Sequence, residues 1–276
     1  MSTLPAKKIS EFYDSFNGVD VTFTKDMVGV TGLIPEQVQL KCGSDFWPCV
    51  FYSSSFRKAK IVINTTNDVL HKLSQSNNLG SLRLGFRNPE SGNPLAFFVA
   101  FRVMGLSPYK GSKEVALMSL QFTQRPPDDF IEIIGRILDA KVNSAKHKTE
   151  RIVITADTER KLRLASRKAV VFIQKVPRSC IIRELSFSGS KLIMMGVGRF
   201  LLDKDATLRV EFDDPGESFM LPGKFTGSED VEGKQGMVAL AMDFDDPKTS
   251  LGYKARINEY INRVSADSRG QDTAER

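Results

Sequence analysis

The chain has 276 residues, 41% of them hydrophobic, with 39 Lys/Arg against 33 Asp/Glu and a net charge of +6. The length suits about two domains, and the apolar content excludes a largely disordered chain. No apolar run approaches the roughly 20 residues of a membrane span, residues 1–8 lack the apolar core of a secretory signal, and three cysteines, an odd number, do not make a disulfide framework. The expectation is a soluble cytoplasmic protein.

The chain opens on a predicted helix in which Ile9, Phe12, Tyr13 and Phe16 recur at i, i+3, i+4, i+7. Short segments rich in β-branched and aromatic residues follow at 19–24, 38–42, 49–53, 59–63, 81–86, 95–104 and 115–122. Polar or Gly/Pro turns such as 87–94 separate them, the pattern of a small barrel or sandwich. Pro126, Pro127, Asp128 and Asp129 form a helix start, because free backbone N–H groups there favour negative charge. Phe130, Ile133, Ile134, Ile137 and Leu138 then line one helical face, and the apolar pattern lapses after Ala140.

The second half repeats this order. Strands are predicted at 170–174, 180–185, 191–195, 207–212, 219–226 and 237–244. After Pro247 a helix carries Tyr253, Ile257, Tyr260 and Ile261 on one face. A polar residue and Phe, a proline turn and an amphipathic helix end both halves, at Gln121-Phe122 and at Asp243-Phe244. The predicted fold is mainly β with peripheral helices: a tandem of two small antiparallel β-barrels, each followed by an α-helix. The expected divisions are an N-terminal domain at 1–140, a basic linker at 141–151, a C-terminal domain at 152–263 and a disordered polar tail at 264–276.

The charge is concentrated. Residues 141–168 hold nine Lys/Arg and three acids, which is the whole net excess of the chain. Such a field draws a polyanion to one place, although a solvated linker with surface lysines has the same composition.

Within that stretch, Arg151 offers a planar fork that can meet two phosphate oxygens or the O6/N7 edge of guanine. Downstream, Glu184-Leu185-Ser186-Phe187-Ser188-Gly189 continues a strand. Alternation sends Leu185 and Phe187 to one face, and Glu184, Ser186 and Ser188 to the other. A carboxylate suits the N1–H and N2–H donors of guanine, and hydroxyls suit phosphate. Gly189 is placed to take a positive φ and turn the chain. An ordinary hairpin with a polar outer face is the plainer reading of the same residues.

Other constellations point nowhere. Cys42, Cys49, Cys180 and the two histidines match no zinc spacing. Asp243, Asp245 and Asp246 precede a helix and read as its start. No Walker-A sequence, nucleophile elbow or catalytic histidine is visible, so neither a metal nor an enzyme is expected.

His147-Lys148-Thr149-Glu150-Arg151 followed by Glu184-Leu185-Ser186-Phe187-Ser188-Gly189 resembles the RxxxR and (D/N)xSxxG motifs of PilZ domains, with Arg151 and Ser186 separated by 35 positions. The resemblance covers about residues 145–263. Residues 1–140 resemble the divergent PilZ-like domain that precedes it in flagellar-brake proteins, and the chain as a whole resembles the two-domain cyclic di-GMP receptors of spirochaetes. His147 stands where the motif has Arg, and Glu184 where it has Asp or Asn. Imidazole is shorter and makes no fork, but it can donate one hydrogen bond or stack on a purine. Glu keeps the charge and adds a methylene.

The resemblance implies a non-enzymatic receptor that binds cyclic di-GMP and needs no other cofactor. Arg151 would grip guanine and phosphate with His147 assisting, and Lys146 and Lys148 would add phosphate charge. Glu184 would read the guanine edge, while Ser186, Ser188 and Gly189 would shape the pocket. Binding would rearrange the two domains, and a flagellar or regulatory protein would be the partner, in control of motility or virulence. Two other readings use the same residues: a nucleic-acid-binding protein working through the basic tract 141–168, and an altered PilZ adaptor that binds proteins only.

Overall fold

The computed structural model describes residues 4–87, 94–213 and 216–274 of the chain. The chain divides into two compact units, Met1–Leu138 and Asp139–Arg276. Of the turn predicted at 87–94, residues 88–93 lie outside the described residues.

The first unit opens with helix α1 (Ala6–Phe16), which buries Ile9 and Phe12 as its apolar spacing predicts. A two-residue strand β1 (Val21–Thr22) and a short helix α2 (Lys25–Thr31) follow. Six strands then close on themselves: β2 (Gln39–Cys42), β3 (Asp45–Ser54), β4 (Lys58–Asn64), β5 (Leu79–Arg87), β6 (Pro94–Pro108) and β7 (Val115–Phe122), with helix α3 (Val69–Gln75) between β4 and β5. The ring runs β3–β2–β5–β6–β7–β4 and returns to β3, all antiparallel, and β1 adds to the edge of β3. Closure leaves no free edge among these six strands. Period-2 alternation fills the interior: Ala116, Met118, Leu120 and Phe122 of β7 are buried and their neighbours are less so. Helix α4 (Asp128–Lys146) follows. Its Phe130 is fully buried and meets the rings of Phe51, Phe56, Phe86 and Phe97.

The second unit repeats the plan. Strand β8 (Ile152–Val153) and helix α5 (Ala156–Leu162) precede β9 (Lys168–Ile173), β10 (Val176–Leu185), β11 (Gly189–Met195), β12 (Asp205–Phe212), β13 (Glu217–Asp230) and β14 (Met237–Phe244). The ring β10–β11–β14–β13–β12–β9 closes, and β8 adds to β10. Taken in chain order, each strand has the same neighbours as its counterpart in the first unit. The irregularities also recur. The bulge at Phe51/Ser53 in β3 corresponds to that at Ile182/Glu184 in β10, and Val103/Gly105 in β6 to Phe225/Gly227 in β13. The isolated bridge Leu33–Phe86 corresponds to Leu164–Phe212. Bulges bend a strand at a set place, so two barrels with the same ring and the same bulges are a structural duplication.

Helix α6 (Leu251–Ala274) runs on into the stretch 264–276. No proline follows Pro247 to stop it. Residues 141–146, expected as linker, form the last turns of α4, and the irregular stretch is confined to 147–151. Helices α2, α3 and α5 were not predicted. Each has seven residues, too few for a helical period to show. Only their caps give a local signal: Thr24 and Thr155 accept the N–H groups of Met27 and Thr158.

Candidate functional site

The last turn of α4 hands the chain to the basic segment. The His147 N–H donates to the Asn143 carbonyl at 2.8 Å, and Glu150 N–H to His147 O at 3.1 Å. His147 Nδ1 lies 3.0 Å from Glu150 Oε2, a pair about half exposed on both sides. β8 then pairs with the end of β10, Ile152 with Leu185 and Val153 with Glu184. That register sets Arg151 beside the turn 186–189. It places His147, Lys148, Arg151, Glu184, Ser188 and Gly189 in one region, with Lys146 at the end of α4 just before it.

The turn is closed by its own serines. Ser186 N–H donates to Gly189 O at 2.9 Å, Ser186 Oγ donates to the same oxygen at 3.1 Å, and Ser188 N–H donates to Ser186 Oγ at 3.3 Å. Ser186 is fully buried. It therefore does not stand in an exposed row with Glu184 and Ser188, as alternation predicted: β10 ends at Leu185, and the rule ends with the strand. Ser186 shapes the turn from inside, and its carbonyl accepts from the Tyr253 hydroxyl at 2.8 Å. Burial pushes the Tyr253 phenol pKa up, against the opposing charge of Arg151, so the hydroxyl stays a donor. In the sequence Tyr253 reads as core only, because its i, i+4 relation to Ile257 explains it without a partner.

Gly189 is needed for space rather than for φ, since it is not among the residues of positive φ. A Cβ there would lie 2.4 Å from the Met242 carbonyl oxygen and 3.2 Å from Arg151 Nη1. β14 and Arg151 both crowd the position, and glycine lets the guanidinium lie over the turn. Ser188 Oγ donates to the Lys148 carbonyl at 2.7 Å, which pins the basic segment to the hairpin.

The electrostatics leave two groups uncommitted. Among the described residues neither Arg151 nor Glu184 has an ion pair or a side-chain hydrogen bond. Lys148 lies close enough to Asp246 to help lower its pKa, behind the larger effect of the hydrogen bond from Lys254. Elsewhere in the basic tract, Arg160 and Lys161 pair with Asp157 at 2.8 and 3.0 Å, so part of the charge is answered locally.

The first barrel shows what the same turn looks like when it is closed. By register, Val21 matches Ile152 and Ser54 matches Leu185. Asp20 then stands for Arg151, Ser53 for Glu184, Ser55 for Ser186 and Lys58 for Gly189. The turn bond recurs, from Ser55 N–H to Lys58 O at 2.8 Å. Lys58 and Asp20 pair at 3.0 Å across the position that Arg151 and Gly189 keep open. In the first barrel the Ser55 carbonyl accepts instead from Ser54 Oγ at 2.8 Å.

Among the described residues no three His, Cys, Asp or Glu side chains gather as metal ligands. Cys42, Cys49 and Cys180 are buried and free, and burial pushes the thiols of Cys49 and Cys180 up to about 12. Asp245 and Asp246 begin a single 3-10 turn before α6. No helix among the described residues is long and apolar enough to cross a membrane.

The PilZN3 domain family matches residues 7–141. Over its whole length the chain is 37% identical to a protein of Treponema denticola named cyclic di-GMP binding protein, and covers 89% of it. The chain belongs to the PilZ family. Two solved structures are similar to it. One is PlzA of Borreliella burgdorferi in complex with c-di-GMP, 25% identical, with 93% of this chain and 99% of that chain covered at a TM-score of 0.41. The other is YcgR of Escherichia coli in complex with c-di-GMP, 9% identical, with 98% and 93% covered at 0.31.

Proposed function

We propose that this PilZ protein is a receptor for cyclic di-GMP and binds it on the second barrel. The observation that carries the reading is the pair of uncommitted charges at the turn: Arg151, held over Gly189 with no counter-charge, and Glu184 with no donor. A guanidinium fork serves phosphate oxygens or a guanine O6/N7 edge, and a carboxylate serves the guanine N1–H and N2–H. One cyclic dinucleotide offers both. The relative named for this ligand supports the same reading.

Arg151 is the main contact and Glu184 the guanine reader. Lys146, His147 and Lys148 add charge and single hydrogen bonds to phosphate. Ser186, Ser188 and Gly189 build the turn, Ser186 from within. The chain is a cytoplasmic receptor rather than a catalyst. Since α4 runs from the first unit into the basic segment, ligand binding is read out as a change in the arrangement of the two units, and through it by a regulatory partner such as the flagellar machinery.

Calorimetry on the full chain tests this directly. Cyclic di-GMP is expected to give saturable heat, while GTP and a short oligonucleotide give little. No heat with cyclic di-GMP would leave the protein-only adaptor. Steeply salt-dependent binding of the oligonucleotide without preference for the dinucleotide would favour the nucleic-acid reading.

A further inference from the structure

Helix α6 buries two faces, and only one is apolar. Tyr253 and Ile257 enter the barrel core. Lys254 and Asn258, one position on, are also buried, at 8% and 4% exposure, and Asn262 continues their row at i+8. A buried amide or ammonium is costly unless it is paired, so this polar stripe requires a partner. Its partners lie at the two ends of the basic segment's surroundings. Lys254 Nζ meets Asp246 Oδ1 at 2.8 Å, beside Lys148. Asn258 meets the second half of α4: its Nδ2 donates to Asp139 Oδ2 at 2.8 Å, and its Oδ1 accepts from Asn143 Nδ2 at 2.8 Å. Asn262 Nδ2 donates to the same Asp139 oxygen at 3.0 Å.

Asn143 is the link to the site. Its side chain is held by Asn258, and its carbonyl accepts the His147 N–H. Lys148, five residues after Asn143, is fixed by Ser188. The basic segment is therefore held between α6 on one side and the hairpin on the other.

Resting on the cyclic di-GMP reading above, we propose that Asn258 and Asp139 are positioning residues for the ligand site. They fix the end of α4, and through Asn143 they fix the segment that presents His147, Lys148 and Arg151. A segment already ordered does not bear the ordering cost when ligand arrives. This gives the polar stripe of α6 a role that core packing does not supply.

The test uses the full chain, with calorimetric affinity for cyclic di-GMP and the thermal midpoint measured on each variant. Asn258→Asp sets a second carboxylate against Asp139 and breaks the bridge. Affinity is expected to fall about tenfold, the scale of one or two hydrogen bonds. Adding Asp139→Asn exchanges the two groups, so that the amide donates to the carboxylate, and affinity is expected to return to within about twofold of wild type. Asn143→Ala raises helix propensity and removes the link, so it decides the matter if Asn258→Asp does not fold. The stranded Asn258 Oδ1 is partly offset by the gain in propensity, so the variant is expected to bind about three- to tenfold more weakly with a midpoint only a few degrees lower. Wild-type affinity in Asn143→Ala, or weakened affinity that the exchange fails to restore, overturns the proposal. Arg151→Ala separates the two levels. If it loses binding while Asn143→Ala does not, the site stands and the positioning role falls. If it binds as wild type does, the site reading falls and takes this inference with it.

Discussion

Arg151→Ala is the sharpest perturbation of the site. Arg151 is exposed and carries no ion pair or side-chain hydrogen bond among the described residues, so its loss should change folding stability by no more than about 0.5 kcal/mol. Binding should respond differently. A fork on a charged acceptor makes two charge-assisted hydrogen bonds, each worth about 1.5–3 kcal/mol. Water partly replaces them at an exposed site, which leaves about 3–4 kcal/mol, or roughly a hundred- to thousandfold in affinity. Arg151→Lys keeps the charge and loses the fork, and should fall between the two. Calorimetry gives the affinities, and thermal melts of the same samples give the stability. An Arg151→Ala affinity within twofold of wild type would refute the assignment. A large fall in midpoint alongside the lost affinity would show that Arg151 supports the fold instead.

Gly189→Ala should cost about 1–3 kcal/mol in urea unfolding, because its Cβ meets the Met242 carbonyl at 2.4 Å and strand backbone must shift. Gly18→Ala, where nothing lies within 4 Å, should stay within about 0.5 kcal/mol. Tyr253→Phe keeps the ring and strands the Ser186 carbonyl, so about 1–3 kcal/mol of stability should be lost; an unchanged midpoint would mean that water or another donor reaches that oxygen. Solution scattering at saturating cyclic di-GMP should differ from the free protein in overall dimensions, and identical curves would argue against a readout through domain arrangement.

The barrels were legible in the sequence where period-2 alternation is clean, as in β7 and β14. Boundaries failed where local chemistry masks the period. Pro48 hid the first half of β3, and Pro177 and Arg178 hid the start of β10. The candidate site reads in the sequence as a set of residue types with a known spacing, because a guanidinium fork and the missing Cβ of glycine are properties of the residue itself. The inward position of Ser186 does not, since it depends on where the strand stops. Nor does the role of the Tyr253 hydroxyl, whose partner is 67 residues away. The duplication was visible only as a Phe, proline turn and helix repeated twice. Its proof lies in the bulges and isolated bridges, which are properties of register.

The closed turn of the first barrel has a thermodynamic consequence. Asp20 and Lys58 carry their own counter-charges, so that turn is satisfied whether or not a nucleotide is present. The second barrel holds Arg151 without one. By mass action a ligand stabilises only the structure it binds, by about 2.7 kcal/mol at a hundred times its dissociation constant. With the ligand on the second barrel, as proposed, cyclic di-GMP should raise the unfolding temperature of that barrel and leave the first where it was. The first barrel would then serve as an internal reference for the second, and a melt that resolves the two would calibrate itself.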